Sequence, residues 1–307
     1  MMIERREIVD RDLWLEWRKQ DVTASAVGAL FSAHPYITPL KLYVEKRGVE
    51  FENPDNAAMR RGRWLEPAVG KAVEELRPHW KLVPASVYLR DPDLRLGATP
   101  DFFIEGDERG PGVLQAKTIA PSVYAREWRD GAEVPFWIIG QCATETMLAD
   151  AAFGVVAGLL VDAHAMDVVI HEIPRHPAAE EKIKSAVHEF WQRVEQGREP
   201  EPDYGRDADV VRMLYPHEVP GRVLDVNGDN SLPVLLDERL TLQAQIKAFE
   251  HRVDEIDTEL KFKMADAESI TGLPGWRVTY KSTDRAGYTV QPKTIRTLRV
   301  FDKRERT

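Results

Sequence analysis

Between Ala57 and Leu76 the apolar residues Trp64, Leu65, Val69, Val73 and Leu76 recur at helical intervals against a polar background, which predicts one long amphipathic helix. Upstream, Asp10 to Lys19 carries Trp14 and Trp17 in a shorter helical pattern, and Thr23 or Ser25 opens another through Val27, Leu30 and Phe31. Pro35 and Pro39 precede a helix around Leu40 to Glu45. Past Pro78 the pattern shortens to that of strands. Lys81–Leu89, Ala98–Ile104 and Val113–Ile119 are β-rich and are separated by the turn signals Asp91-Pro92-Asp93 and Gly110-Pro111-Gly112. A helix at Phe136–Leu148, strands at Phe153–Val161 and Asp167–Ile173, and a helix at Pro177–Gln196 follow. The order predicts a mixed α/β fold with a central sheet flanked by helices.

Gly197 to Tyr204 (GREPEPDY), dense in proline and charge, marks the best boundary and divides the chain into residues 1–205 and 206–307. Beyond Pro233, the residues Leu242, Ile246, Phe249, Val253, Ile256 and Leu260 alternate by four and three, an apolar stripe on a helix of about four heptads. Such a stripe either enters a coiled coil or folds back on the preceding domain. Gly272 to Gly275 ends it, and Trp276–Tyr280 with Tyr288–Val290 predicts a two-stranded hairpin.

Composition narrows the class. Of the 307 residues 43% are hydrophobic and 30% charged, as in soluble globular proteins. Ala151–Val161, the best apolar run, is far short of the ~20 residues of a membrane span. The charged start MMIERREIVDRD lacks a signal-peptide core, so a cytosolic protein is expected. With Cys142 as its one cysteine the chain forms no intrachain disulfide and no cysteine-rich zinc site, and its eight histidines show no HExxH spacing. The net charge of −9 disfavours contact with nucleic-acid phosphates. Its distribution is uneven, however: Trp276–Thr307 holds nine Lys and Arg against three acids, and Arg60, Arg61 and Arg63 cluster just ahead of Glu66. Either cluster is as readily a solvated face as a contact surface.

The candidate chemistry lies in RGRWLEP (61–67), GATPDFFI (97–104) and VLQAKT (113–118). Asp101 follows a proline and opens a strand, while Gln115 and Lys117 share one face of the next strand because side chains alternate with period two. The short Gly-rich turn between these strands allows a hairpin that sets Asp101 opposite Gln115 and Lys117. A carboxylate with neighbouring oxygens suits Mg²⁺, a hard cation that prefers oxygen ligands. An ammonium beside it suits the charge that develops on a phosphate under attack. The combination points to phosphodiester hydrolysis.

Pro-Asp, a short loop and x-x-Lys on the next strand resemble the PD-(D/E)XK nuclease fold. The segments VTASAVGALFSAHPYITPLKLY (22–43), RGRWLEPAV (61–69), GATPD (97–101), LQAKT (114–118), PFWIIGQCATETML (135–148) and GREPEPDY resemble its YqaJ-type viral recombinase branch, related to the lambda-type phage exonucleases. They span about two thirds of the chain, and the heptad helix followed by GWRVTYK resembles the tail often attached to this branch. The resemblance implies that Asp101 ligates a Mg²⁺ ion (or Mn²⁺), that Gln115 fills the second ligand position, and that the Ala116 carbonyl adds a backbone oxygen. It implies Lys117 as the catalytic lysine, Glu66 as an additional acid holding a metal-bound water, and Gln141 as the group orienting Lys117 or the attacking water. Arg18, Ser25 and Thr99 fall where the phage exonucleases hold the 5′-phosphate of a substrate end, a chemistry that suits an arginine with hydroxyl donors. The same resemblance implies a 5′→3′ exonuclease on duplex DNA ends from a phage or prophage recombination system in a bacterial cytoplasm. A homo-oligomer, possible as a ring around DNA, and a single-strand annealing protein as recipient of the product strand are implied as well.

Gln115 departs from the Glu or Asp usual at its position, and an amide oxygen brings no negative charge to the metal. A natural variant with weaker metal affinity, a substitution that traps substrate, and an inactive protein are three readings of it. Retention of Asp101, Lys117, Glu66 and Gln141 favours the first. The rival functions are an endonuclease on the same fold and a DNA-binding scaffold that has lost catalysis and assembles through the heptad arm. An iron–sulfur nuclease would need four cysteines. Taken singly, Asp101 reads as a turn residue, Glu66 as a helix-surface acid beside Arg63, Gln141 as a buried amide and Ser25 as a helix cap. His34 and the four tryptophans Trp14, Trp17, Trp128 and Trp137 read as structural.

Overall fold

The computed structural model describes residues 2–51, 56–129, 133–162, 166–284, 287 and 296–300, and the chain divides into two units, Met1–Leu214 and Tyr215–Thr307. In chain order the first unit runs β1 (Glu4–Glu7), α1 (Arg11–Gln20), β2 (Val22–Thr23), a single 3₁₀ turn (Ala24–Ala26), α2 (Val27–Leu30), α3 (Pro39–Lys46) and α4 (Ala57–Leu76). It continues with β3 (Lys81–Pro84), β4 (Val87–Asp91), β5 (Leu96–Ala98), β6 (Phe102–Glu105), β7 (Gly112–Ile119) and α5 (Pro121–Glu127). α6 (Phe136–Ala149), β8 (Phe153–Val161), β9 (Met166–Pro174), α7 (Pro177–Gln196) and α8 (Ala208–Leu214) complete it.

Two of the sequence-predicted strands each split into two. Lys81–Leu89 becomes β3 and β4, and Ala98–Ile104 becomes β5 and β6, with the halves serving different sheets. A five-stranded sheet of order β3-β6-β7-β8-β9 carries the centre of the fold, and a four-stranded sheet of order β1-β4-β5-β2 stands beside it. The chain crosses between them at Thr99-Pro100-Asp101. Proline cannot donate to a ladder, so a sheet change at Pro100 leaves no backbone donor stranded. Periodicity cannot reveal such a split, because both halves keep the same alternation.

The long β7 pairs antiparallel with β6 (Phe102↔Leu114) and parallel with β8, from Gly112↔Phe153 to Ile119↔Leu160. α4 packs on one face of this sheet, where Val69 and Val73 meet Phe102, Leu114, Val155, Ala157 and Leu159. α6 covers the other face and also touches β4, β5 and α7. Being enclosed on most sides, α6 is apolar around most of its circumference rather than along one stripe. Its close seat on β8 depends on Gly154, where an added Cβ would lie 2.5 Å from Cys142 Sγ and 2.6 Å from Thr146 Oγ1. That seat brings Gln141, one turn before Thr146, over β7.

In the second unit α9 (Ser231–Met264) is a helix of 34 residues, followed by β10 (Ser269–Ile270) paired with β11 (Val278–Thr279). The hairpin thus closes with the strand before Val278; Tyr288–Val290, the predicted partner, lies outside the described residues. The heptad residues Leu242, Ile246, Phe249, Val253, Ile256 and Leu260 are all exposed, Phe249 by 70%. Among the described residues no helix is long and apolar enough to cross a membrane.

Candidate active site

Asp101 stands just before β6, and the register places it opposite Gln115 on β7. Its Oδ2 accepts from the Ala116 backbone N–H at 2.7 Å and from Gln115 Nε2 at 2.5 Å. Gln115 and Lys117 point together to the α6 face, as two-residue alternation requires. There Gln141 meets both: its Nε2 donates to Gln115 Oε1 at 2.7 Å, and its Oε1 accepts from Lys117 Nζ at 3.0 Å. Glu66 comes from α4 on the opposite face and lines, with Gly62, Val69, Asp101, Gln115, Ala116 and Thr118, a cavity of about 130 Å³. Acid, amide and amine therefore share one network at the sheet crossing.

The electrostatics of this cavity are unbalanced. Burial, reinforced by the neighbouring Glu66 charge, pushes Asp101 up to about 7, against the pull of Lys117 and of the Ala116 and Gln115 donors. Burial also raises Glu66, with Lys117 opposing. Lys117 is shifted down by burial, with the Asp101 charge opposing. Its ammonium lies 5.5 Å from the centroid of the Trp137 ring. Two carboxyl groups lining one cleft, Asp101 and Glu66, both partly buried, create demand for a cation.

Oxygen chemistry of this kind fits a hard divalent ion. Asp101, Glu66 and the Ala116 carbonyl are the oxygen donors that would hold one. Among the described residues no group of three or more His, Cys, Asp and Glu side chains is placed to hold a metal, and position 115 offers an amide in place of a carboxylate.

Glu145 was not legible as a site residue. It lies on α6 one turn beyond Gln141, is only 1% exposed, and accepts from Gln141 Nε2 at 2.9 Å through Oε1. Among the described residues its Oε2 is buried without a hydrogen-bond partner, and burial together with the Asp101 charge raises its pKa well above the usual carboxylate range. The available signal was the i, i+4, i+8 spacing of Trp137, Gln141 and Glu145, which puts all three on one helix face.

Arg18, Ser25 and Thr99 come together around Trp14. Arg18 donates to Ser25 Oγ at 3.2 Å and stacks 4.7 Å from the Trp14 ring centroid, while Trp14 Nε1 donates to Thr99 Oγ1 at 3.1 Å. The parallel pairing of β2 with β5 (Thr23↔Gly97) carries Ser25 and Thr99 to the same edge. Burial lowers the Arg18 pKa, and the Glu145 charge is among those that oppose the shift, so this cluster feels the network on α6. Trp14 thus has a positioning contact that its reading as structural did not include. His34 is structural: it is buried, its Nδ1 accepts from Tyr36 and Ile37 N–H groups, and burial together with nearby Arg206 holds its pKa down to about 4.

Residues 13–152 match the YqaJ-like viral recombinase domain. Over 276 residues the chain is 25% identical to the uncharacterized protein YqaJ of Bacillus subtilis, covering 87% of this chain and 82% of that one. Among solved structures it is similar to the alkaline exonuclease LHK-Exo of Laribacter hongkongensis in complex with dAMP, at 19% identity and TM-score 0.49, over 66% of this chain and all of that one. It is also similar to a phage-related exonuclease of Haemophilus somnus, at 13% identity and TM-score 0.41, over 58% of this chain and 96% of that one. Through the domain at residues 13–152, this chain is similar to the YqaJ-like viral recombinases.

Proposed function

We propose that the protein is a divalent-cation-dependent exodeoxyribonuclease that degrades duplex DNA from its 5′ ends in phage or prophage recombination. The observation that carries this reading is the convergence of Asp101, the Ala116 carbonyl, Glu66, Lys117 and Gln141 at one cleft. A bound Mg²⁺ or Mn²⁺ would polarise the scissile phosphate and acidify water at the site. Asp101 and the Ala116 carbonyl would hold it as oxygen donors, and Glu66 on α4 would hold an attacking water. Lys117 presents its ammonium to the phosphate oxygens as negative charge grows on them. Gln141 keeps that ammonium aimed, through the 3.0 Å bond to its Oε1.

Arg18, Ser25 and Thr99 receive the terminal 5′-phosphate, and the Trp14 ring beside Arg18 holds the guanidinium plane. Exposed Arg60, Arg61 and Arg63 on α4 sit where backbone phosphates approach Glu66. The product strand passes to a single-strand annealing protein in the cytoplasm of the bacterial host. Linear duplex, closed circular duplex and single-stranded DNA, each incubated with Mg²⁺ or Mn²⁺, test this directly. Linear duplex is expected to be degraded and circular duplex spared. Equal cutting of both removes the exonuclease assignment. Binding without cleavage under either metal favours a scaffold that has lost catalysis, a reading the amide at position 115 keeps in play.

The exposed α9 stripe supports self-association with a second copy of this chain. Ile246, Val253 and Leu260 fall at one heptad core position and Leu242, Phe249 and Ile256 at the other, an apolar seam that a second copy would cover. A parallel pair would set Arg252 of one copy opposite Asp257 of the other, a complementary charge pair flanking the seam. Ile246→Asp with Val253→Asp is expected to halve the mass or more in light scattering while the far-ultraviolet circular dichroism of the first unit stays intact. An unchanged mass would assign oligomerisation to another surface.

A further inference from the structure

The orientation of the Gln115 amide decides what it can do for a cation, and that orientation is set elsewhere. Gln141 is the lock. On one side Lys117 Nζ, a donor only, requires an acceptor, and Gln141 Oε1 supplies it at 3.0 Å. On the other side Glu145 Oε1 requires a donor, and Gln141 Nε2 supplies it at 2.9 Å. Turning the Gln141 amide over would set N–H against the Lys117 amine and withdraw the donor from Glu145 Oε1, so one orientation alone satisfies both contacts. With Gln141 Nε2 also aimed at Gln115, the latter must answer with its oxygen, at 2.7 Å.

The consequence is that Gln115 turns its nitrogen to the cleft. Nε2 lies 2.5 Å from Asp101 Oδ2 and 3.3 Å from the Ala116 carbonyl oxygen. These are the two oxygens a cation would use, so the amide NH₂ occupies the cation's position between them. A ligand oxygen from Gln115 becomes available only when the amide turns over, and then its N–H group confronts that of Gln141.

We propose that Glu145 is a positioning residue that, through Gln141, holds Gln115 as an internal surrogate for the metal and so lowers the affinity of the site for divalent cations. This deepens the nuclease reading and rests on its cation site. The relay predicts that reversing its polarity opens the site. The double substitution Gln141→Glu with Glu145→Gln keeps the number of charges, leaves an acceptor for Lys117, and asks Gln115 for a donor, which turns its oxygen toward Asp101.

Mn²⁺ binding to the full chain, followed by the loss of the free-ion electron paramagnetic resonance signal, reads this without any turnover. Changes around a ligand typically alter metal affinity by roughly 10–100-fold. The double variant is therefore expected to bind Mn²⁺ about tenfold or more tightly than the parent, and Gln115→Glu likewise. The gain from the double substitution should vanish when position 115 is Leu, which has no orientation to reverse, and Asp101→Asn should abolish binding in every background. Circular dichroism of each variant checks that it is folded. If Gln115→Glu tightens binding but the double substitution does not, the relay is overturned and the cation site stands. A gain of the same size in the Gln115→Leu background overturns it too, since moved charge alone would then explain the result. No Mn²⁺ binding by any variant, Gln115→Glu included, removes the cation site and the relay together.

Discussion

Lys117→Ala is expected to reduce the rate of linear-duplex degradation by about 10²–10³-fold, the usual loss when one positioned donor to a developing oxyanion is removed. The side chain is placed for this task by three independent features. It shares a β7 face with Gln115, accepts its direction from Gln141 Oε1 at 3.0 Å, and lies near the Trp137 ring in a cleft that burial makes unfavourable for charge. A charge held in low dielectric acts more strongly on a phosphate than one in water. Lys117→Met keeps most of the apolar stem and separates packing from charge: it should lose as much activity as Lys117→Ala while melting closer to the parent. Activity within about fivefold of the parent in both variants would remove Lys117 from the chemistry altogether.

Gly97→Ala is expected to cost about 3 kcal/mol or more of folding stability, at the upper end of what overpacking a well-filled core exacts. A Cβ at position 97 would stand 1.9 Å from Tyr88 Oη and 2.3 Å from Tyr88 Cζ. Tyr88 has no room to yield. It is fully buried, its hydroxyl donates to buried Asp21 at 2.9 Å, and Asp21 is further held by Arg90 Nε at 2.8 Å. The damage should reach the site, because β5 pairs with β2 and delivers Thr99 and Pro100 to the sheet crossing. For a unit of this size the melting temperature should fall by roughly 10 °C, at 2–4 °C per kcal/mol. Gly62→Ala is the contrast: nothing lies within 4 Å of its added Cβ, and alanine suits a helix interior better by about 1 kcal/mol. Thermal unfolding followed by circular dichroism decides the matter, and equal melting of both variants would contradict the packing described around Tyr88.

The two predictions probe different parts of one segment. GATPD (97–101) contains a glycine that packing demands, a hydroxyl at the Arg18 cluster, a proline at the crossing and the acid of the cleft. Read as a string these residues look equivalent. Only in three dimensions do they divide into support and chemistry.

Much of the architecture was readable from periodicity. The helix at Ala57–Leu76 matches its predicted bounds, and the structured helix Pro177–Gln196 does as well. Alternation along Val113–Ile119 put Gln115 and Lys117 on one face, and the short turn implied Asp101 opposite them. These are local consequences of backbone geometry, and a single chain segment suffices to state them. The sheet to which a strand belongs is not local. Lys81–Leu89 and Ala98–Ile104 each read as one strand, yet partners far along the chain, β1 and β2 on one side and β7 on the other, draw their halves apart.

The same distinction separates the site residues. Asp101, Gln115, Lys117, Glu66 and Gln141 were named from residue type and from words in the sequence, and the fold gathers them. The direction of the Gln115 amide was beyond reach, because oxygen and nitrogen of one side chain are identical in the sequence and differ only through their neighbours. Lys117 and Glu145 settle it from opposite sides of Gln141, and Glu145 itself looked like one more residue of an apolar helix. The amino-acid order alone determined which groups the chain possesses and the face each occupies on its own strand or helix. Tertiary structure decided which sheet each strand joins, which polar atoms meet in the buried interior, and hence whether an amide offers a cation its oxygen or takes the cation's place.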